Sequence, residues 1–413
     1  LNKLIQTNRS PAVLRKLKPE CEACKLYKTC NSPKMEISGH GEKGLMIVGE
    51  FPGFVEDEAG APFVGPSGQI LYELGRQAGL DIRRDCWLTN ALSCYPGKGE
   101  SPTEKQVGQC RPKVIEAIKR LKPKAILLTG HNACKSVIGG LWQKGLHGMD
   151  TWQGLVIPCA EINAWLIPTY NTAHLMYTAL KDRNGKHHPV LEQMVLGAIK
   201  SFASKTDYPF EKVPDYESQV EIIYEDNKAR DAINWFHQQG ELVAFDYETD
   251  RLKPHHPDSR ILCCSISDGK RTISYPWLPE ARKATGELLA SNVRKTAANI
   301  KFEQMWTMKD LGHGVNMFSG CSVLMPHILD PRHNFTSVKF QSFVRYGVMG
   351  YEDKVAPYMK AKTGNEPNRL DQLPLRDLLL YCGMDSLLEY KLITDMKKEI
   401  EEDVRRNTRD SAS

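Results

Sequence analysis

Leu45-Met46-Ile47-Val48-Gly49-Glu50 reads as a short apolar strand that stops on glycine and hands over to a carboxylate. Beyond it runs a Gly/Pro-rich segment to Gly68, followed by a helical pattern from about Ser67. The same alternation recurs outward. Cys86-Trp87-Leu88-Thr89, Ala125-Ile126-Leu127-Leu128 and Ala164-Trp165-Leu166-Ile167 read as further strands with helical stretches between them. Ser101-Pro102-Thr103-Glu104 reads as a capping box that opens one of these helices. Strands alternating with helices imply an α/β sandwich on a mostly parallel sheet, whose ligands bind beyond the carboxyl ends of the strands. Glu50, Asn90 and Asn171 all follow strands and are the candidate site residues of this block.

The 413 residues are 41% hydrophobic and 25% charged, an ordinary globular composition long enough for two or three domains. The net charge of +5 permits nucleic acid as a partner without demanding it. No apolar run reaches the length of a membrane span and no signal-peptide pattern opens the chain. A first residue of Leu implies that the natural start is missing or replaced. Twelve cysteines in such a chain read as reduced thiols and metal ligands of a cytosolic protein.

Cys21 and Cys24 form a C-x2-C pair; Cys94 and Cys110 form a second pair fifteen residues apart. Four thiolates hold either zinc or an iron–sulfur cluster. The second spacing does not resemble a zinc knuckle. Cys30, Cys86, Cys134 and Cys159 lack such pairing and read as core or surface thiols.

The run from Gly49-Glu50-Phe51-Pro52-Gly53 through Glu56-Asp57 and Gly60 to Pro62-Phe63-Val64-Gly65 resembles the first motif of family 4 uracil-DNA glycosylases. Leu88 to Cys94 and Pro168-Thr169-Tyr170 resemble later motifs of that family. The resemblance covers about residues 15–200 and implies a uracil-DNA-glycosylase-like α/β/α sandwich with a [4Fe-4S] cluster on Cys21, Cys24, Cys94 and Cys110. Chemically, Phe63 suits stacking on an extruded base, and the Asn90 amide suits the O4/N3 edge of uracil. Glu50 suits orienting a water or stabilising a sugar cation. The last motif departs from the family. Asn171 follows Pro-Thr-Tyr where the family has His, a loss worth ~10²–10³ in rate where such electrostatic help is removed. His174, three residues on, points elsewhere. Phe51 and Phe54 replace smaller or acidic family residues and narrow the site.

Lys205 to Glu217 is polar, holds two prolines, and reads as a linker between domains 1–204 and 218–413. In the second block, strands at 220–224, 242–245, 261–267 and 272–275 precede helices, as in a mixed sheet with helices packed on it. Asp246 and Glu248 share one strand face, an arrangement that suits a divalent cation. Asn299-Ile300-Lys301-Phe302-Glu303 supplies another acid, and Tyr381 and Asp385 share a helix face. Together these stretches, with Leu329-Asp330-Pro331, resemble the DEDDy 3′–5′ exonuclease domain of family A DNA polymerases over about residues 220–400. That resemblance implies a ribonuclease H-like (DnaQ-type) fold and two Mg²⁺ or Mn²⁺ ions. Asp246, Glu248 and Asp385 would ligate the first ion. Asp246 would bridge to the second with help from Glu303, and Tyr381 would orient the attacking water. Glu303 stands where the family has Asp.

The expectation is thus a cation-dependent 3′–5′ DNA exonuclease carrying an iron–sulfur glycosylase-like domain. By analogy with fused phage replication proteins, it would act in phage DNA replication, in the cytoplasm of a bacterial host, with a polymerase domain or subunit as partner. A bifunctional enzyme that also excises uracil and a non-catalytic DNA-binding or polymerase-tethering module are the alternatives.

Overall fold

The computed structural model describes residues 19–142, 145–181, 189–363 and 366–410. It divides into two compact units: residues 1–213 with 343–350, and residues 214–342 with 351–413.

In the first unit β1 (Leu45–Gly49), β2 (Cys86–Asn90), β3 (Ala125–Thr129), β4 (Ile157–Cys159) and β5 (Ala164–Thr169) form one sheet in the order β2-β1-β3-β5-β4. All neighbours are parallel except β4, which pairs antiparallel with β5 at the edge. Every residue of β1 and β3 is buried, as expected of central parallel strands covered on both faces. Leu45, Ile47, Leu127 and Ile167 pack with Leu71, Leu74, Val195, Ile199 and Phe202 from helices. The helix Pro66–Gln77 starts with proline at its first position. The helix Glu104–Leu121 begins later than Ser101 implied. Thr103 is the cap: its Oγ1 accepts from Gln106 N (3.2 Å), and Gln106 Oε1 accepts from Thr103 N (2.8 Å). The reciprocal pair, not Ser101, decides the start because it satisfies donors at both ends of the first turn.

The second unit holds β6 (Val220–Ile222), β7 (Leu242–Thr249), β8 (Ile261–Ser267), β9 (Thr272–Pro276), β10 (Arg294–Ala297) and β11 (Phe318–Cys321), in the order β11-β10-β7-β8-β9-β6. β7, β8 and β9 form an antiparallel meander, and β10 and β11 add in parallel beside β7. That core order, three antiparallel strands flanked by two parallel ones, is ribonuclease H-like. The chain is therefore α/β with two mixed sheets. β10 is hidden in the sequence because Arg294-Lys295-Thr296-Ala297 lacks an apolar pattern. Lys295 is fully buried, and its Nζ donates to Ser291 O (2.7 Å). The helix Leu375–Asp410 packs across this sheet. Gly383 permits that approach: a Cβ there would lie 2.3 Å from Val220 Cγ1. Ser265 Oγ donates to Cys382 O (2.7 Å) and fixes the helix's rotation. No helix among the described residues is long and apolar enough to cross a membrane.

Candidate active sites and metal centres

Parallel pairing sets the first site. Gly49 lies opposite Asn90 and Thr129 opposite Thr169, so Glu50, Asn90, Gly130 and Asn171 meet at the carboxyl ends of four adjacent strands. Gly49 has no room for a side chain. A Cβ there would lie 2.3 Å from Asn90 Oδ1 and 2.8 Å from Phe63 Cζ. The amide and the ring therefore face the same bare stretch of backbone. Phe63 sits at φ +60°, a conformation costly for an aromatic residue, and Gly68 packs against its carbonyl. Gly49→Ala is expected to push the amide and ring apart and to destabilise the first unit by about 1–3 kcal/mol through overpacking. A lowered denaturant midpoint at unchanged slope checks this.

Glu50 is held on both oxygens. Its Oε1 accepts from Asn132 N (3.0 Å) and Asn132 Nδ2 (3.1 Å); its Oε2 accepts from Asn171 Nδ2 (2.8 Å). Gly130, at φ +96°, makes space for this carboxylate: a Cβ there would lie 2.5 Å from Glu50 Cδ. Asn171 Oδ1 accepts from Ala173 N (3.0 Å), so both ends of its amide are engaged. His174 is exposed and stacks on Tyr170, with centroids 5.9 Å apart. Phe54, exposed to solvent, does not narrow the pocket as expected. Phe51 packs with Ala91, Leu92 and Val107, and Phe54 is 56% exposed, edge-on to Tyr95.

Sequence reading assigned no role to Asn132, Gly130, Glu56 or Asp57. Glu56 accepts from Gly53 N (3.1 Å) and Gly65 N (2.7 Å), closing the loop that carries Phe63. Asp57 accepts from Asn31 N and Ser32 N (both 2.9 Å), tying that loop to the segment after Cys24. Backbone amides are satisfied only in the fold, so composition gave no signal for these roles; the ungapped Glu-Asp pair was the available clue.

Cys21, Cys24, Cys94 and Cys110 line one cavity of about 660 Å³ with Tyr27, Lys34, Lys113 and Arg120. The first two come from the short helix Cys21–Cys24, Cys94 from the loop after β2, and Cys110 from the helix Glu104–Leu121. Glu20 N donates to Gln109 O (3.1 Å), which joins the first pair to the helix carrying Cys110. Lys34 N donates to Cys94 Sγ (3.2 Å). Burial pushes the Cys24 and Cys110 thiols up, and the neighbouring Cys94 adds to both. Thiols crowded this way release their protons to a soft cation, and the basic residues offset the negative charge of a thiolate-held centre. The donor set fits an iron–sulfur cluster. Cys30, read as unpaired, lies against Cys94, and burial together with that contact pushes it up to about 11. Cys86, Cys134 and Cys159 are buried.

The second site starts from β7. Asp246 and Glu248 pair in register with Ser265 and Cys263 of β8, and both side chains reach Asp385 of the long helix. Ligand oxygens of Asp246, Glu248 and Asp385 lie within 4.8 Å of one another, all in buried residues. Burial, then the neighbouring Asp385, pushes the Asp246 carboxyl well above its ordinary range. Glu248 shifts the same way through burial and Asp246. Like charges so close hold a proton or take a cation between them. Glu303, early in the helix Ile300–Leu311, is 2% exposed; burial and Asp246 push its carboxyl up as well. Parallel pairing of β10 with β7 is what delivers it there.

Tyr381 is buried against the same acids. Burial, Asp385 and Glu248 keep its phenol protonated. Tyr351 stacks on Tyr381 at 5.8 Å and donates to Asp385 Oδ1. Lys339 donates to both Asp385 oxygens. Burial opposes its charge, but Asp385 and Asp246 outweigh that and hold its pKa above the ordinary value. Lys339 and Tyr351 belong to no motif recognised in the sequence; their distance along the chain from Asp385 hides them.

Residues 38–194 match the family described as the uracil DNA glycosylase superfamily. The type-4 uracil-DNA glycosylase of Pyrobaculum aerophilum is 39% identical over 127 residues, 30% of this chain and 63% of that enzyme. The chain thus spans less than two thirds of that relative's length. The type-4 enzyme of Archaeoglobus fulgidus is 32% identical over 162 residues, 38% of this chain and 78% of that enzyme. Among solved structures, Brucella melitensis NrnC with bound Mg²⁺ is similar at 17% identity and a TM-score of 0.32, covering 47% of this chain and 87% of that one. Escherichia coli RNase D, an exoribonuclease involved in structured RNA processing, is similar at 11% identity and a TM-score of 0.35, covering 44% and 45%. The identity running through 78% of the Archaeoglobus enzyme, together with the matched residues 38–194, shows that this chain belongs, through its first unit, to the uracil-DNA glycosylase superfamily.

Proposed function

We propose that the protein is a divalent-cation-dependent 3′–5′ DNA exonuclease whose first unit is an iron–sulfur, uracil-DNA-glycosylase-like base-binding domain. One observation carries the nuclease reading: three buried carboxylates, from one strand and one helix, converge within 4.8 Å beside a buried phenol. Bound Mg²⁺ or Mn²⁺ ions would supply an activated water and stabilise the leaving 3′ oxygen. Asp246, Glu248 and Asp385 hold them, Glu303 reaches the Asp246 side, and Tyr381 presents its O–H to the attacking water. Lys339 neutralises part of the acidic charge, and Tyr351 fixes Asp385. The substrate is a single-stranded 3′ end. The setting we favour is phage DNA replication beside a family A polymerase, supported by analogy with fused replication proteins. Mg²⁺-dependent shortening of a 3′-labelled oligonucleotide tests the activity.

In the first unit, Cys21, Cys24, Cys94 and Cys110 hold a [4Fe-4S] cluster, and Phe63 and Asn90 receive an extruded base. Excision there is weak, because the Asn171 amide is engaged by Glu50 and Ala173 N and carries no ionisable ring. Asn171→His is expected to raise uracil release by ~10²-fold, the scale of one oxyanion donor. Abasic-site formation on a uracil-containing strand with a blocked 3′ end measures it. Wild-type release already at the variant's rate contradicts this and favours the bifunctional reading.

A further inference from the structure

The acid cluster of the second unit carries a cation from the chain itself. Lys339 Nζ donates to both oxygens of Asp385, at 2.5 Å from Oδ2. The same ammonium lies 4.7 Å from the ring centroid of Tyr381 and 5.1 Å from that of Tyr351. Both distances are within reach of cation–π attraction. The two rings stack at 5.8 Å, and Tyr351 donates to Asp385 Oδ1. One carboxylate and two phenol rings thus enclose the ammonium. Local structure does not call for a lysine at this position. Lys339 stands in the first turn of the helix Val338–Tyr346, next to Ser337, whose Oγ accepts from Phe340 N (3.1 Å). A positive charge in a first turn opposes the helix dipole. The contact with Asp385 compensates for that placement.

Asp385 is one of the three carboxylates whose oxygens lie within 4.8 Å of one another. A carboxylate offers about four lone pairs. Lys339 and Tyr351 together engage three of those on Asp385, two of them on Oδ1. An incoming ion keeps all three hydrogen bonds only by sharing Oδ2 with the ammonium. At an Mg²⁺–oxygen distance of about 2.1 Å, ion and ammonium would then be no more than about 4.6 Å apart. Like charges that close in a buried pocket repel strongly. Ion and ammonium therefore compete for Asp385. We infer that Lys339 is a positioning residue acting through Asp385: it holds that carboxylate in the cluster, yields it to an arriving divalent cation, and so sets the cation affinity of the site. This rests on the nuclease reading above.

The test is Mn²⁺ titration of the full chain by calorimetry and electron paramagnetic resonance, on wild type, Lys339→Met, Lys339→Gln, Lys339→Arg and Asp246→Ala. The two neutral variants are expected to bind Mn²⁺ about 10-fold tighter than wild type, because a like charge a few ångströms away stays costly even at an effective dielectric of about 20. Lys339→Arg keeps the charge on a two-pronged donor and should bind no tighter than wild type. Adding Mn²⁺ should raise the melting temperature of the neutral variants more than that of wild type. A merely structural lysine predicts the opposite sign: its loss would loosen Asp385 and weaken the ion. Lys339→Gln, which keeps a hydrogen-bond donor, carries the test if Lys339→Met does not fold. Affinity unchanged or weakened in the neutral variants, with binding lost in Asp246→Ala, overturns the role of Lys339 and leaves the nuclease reading standing. No Mn²⁺ bound by wild type or by either neutral variant overturns both.

Discussion

Asp246→Ala is expected to remove cation-dependent 3′ shortening by ~10³-fold or more. The magnitude follows from the several kcal/mol of charge stabilisation that a bound ion gives to phosphodiester hydrolysis, with each tenfold in rate worth about 1.4 kcal/mol. Asp246 is the acid around which the others gather. Its charge acts on Glu248, Glu303 and Glu389, and Asp385 acts on it. In the proposed two-ion arrangement, losing it would remove the carboxylate shared between both ions, whereas losing Glu303 would remove a group on one side only. The same substitution relieves repulsion among buried carboxylates. Metal-free Asp246→Ala should therefore melt higher than metal-free wild type, and Mn²⁺ should no longer raise its melting temperature. Initial rates on a 3′-labelled oligonucleotide, with melting curves in chelator and in Mn²⁺, read both effects. A rate within tenfold of wild type contradicts the assignment.

Cys94→Ser has the largest expected effect on the first unit. Cys94 is the thiol that Lys34 N contacts and that Cys24, Cys30 and Cys110 all sense. Where a centre forms only in the folded chain, its binding free energy is folding free energy. Cys94→Ser should lose most of its iron and its visible absorbance, and the first unit's melting temperature should fall by tens of degrees. Nuclease activity should survive, since all its residues lie in the second unit. Cys30→Ser is the control: it lies against Cys94 but is not one of the four proposed ligands, so iron content should hold. Full iron in Cys94→Ser, or loss of iron in Cys30→Ser, would redraw the ligand set.

The parallel strands of the first unit were legible because buried central strands write themselves as continuous apolar runs. Leu45–Val48 and Ala125–Leu128 are such runs, and their glycine endings mark where side chains gather. β4 and β10 were not legible. β4 is a three-residue edge strand, and β10 carries a buried lysine whose ammonium is satisfied by backbone. Cys21/Cys24 and Asp246/Glu248 were legible as pairs because their spacing sets each on one turn or strand face, whereas their grouping with Cys94, Cys110 and Asp385 came from the resemblances to known families. Asn132, Lys339 and Tyr351 were not legible, because they reach their partners through tertiary packing.

The central claim is that the chain cuts DNA from its 3′ end in the second unit and holds bases in the first with little excision. One assay addresses it directly. Two labelled oligonucleotides are incubated with the iron-loaded chain, with and without Mg²⁺: one bears a single uracil and a blocked 3′ end, the other a free 3′ end. The expected result is Mg²⁺-dependent shortening of the free end with almost no abasic sites in the uracil strand. Abundant abasic sites in chelator, together with a free 3′ end left intact in Mg²⁺, would contradict it.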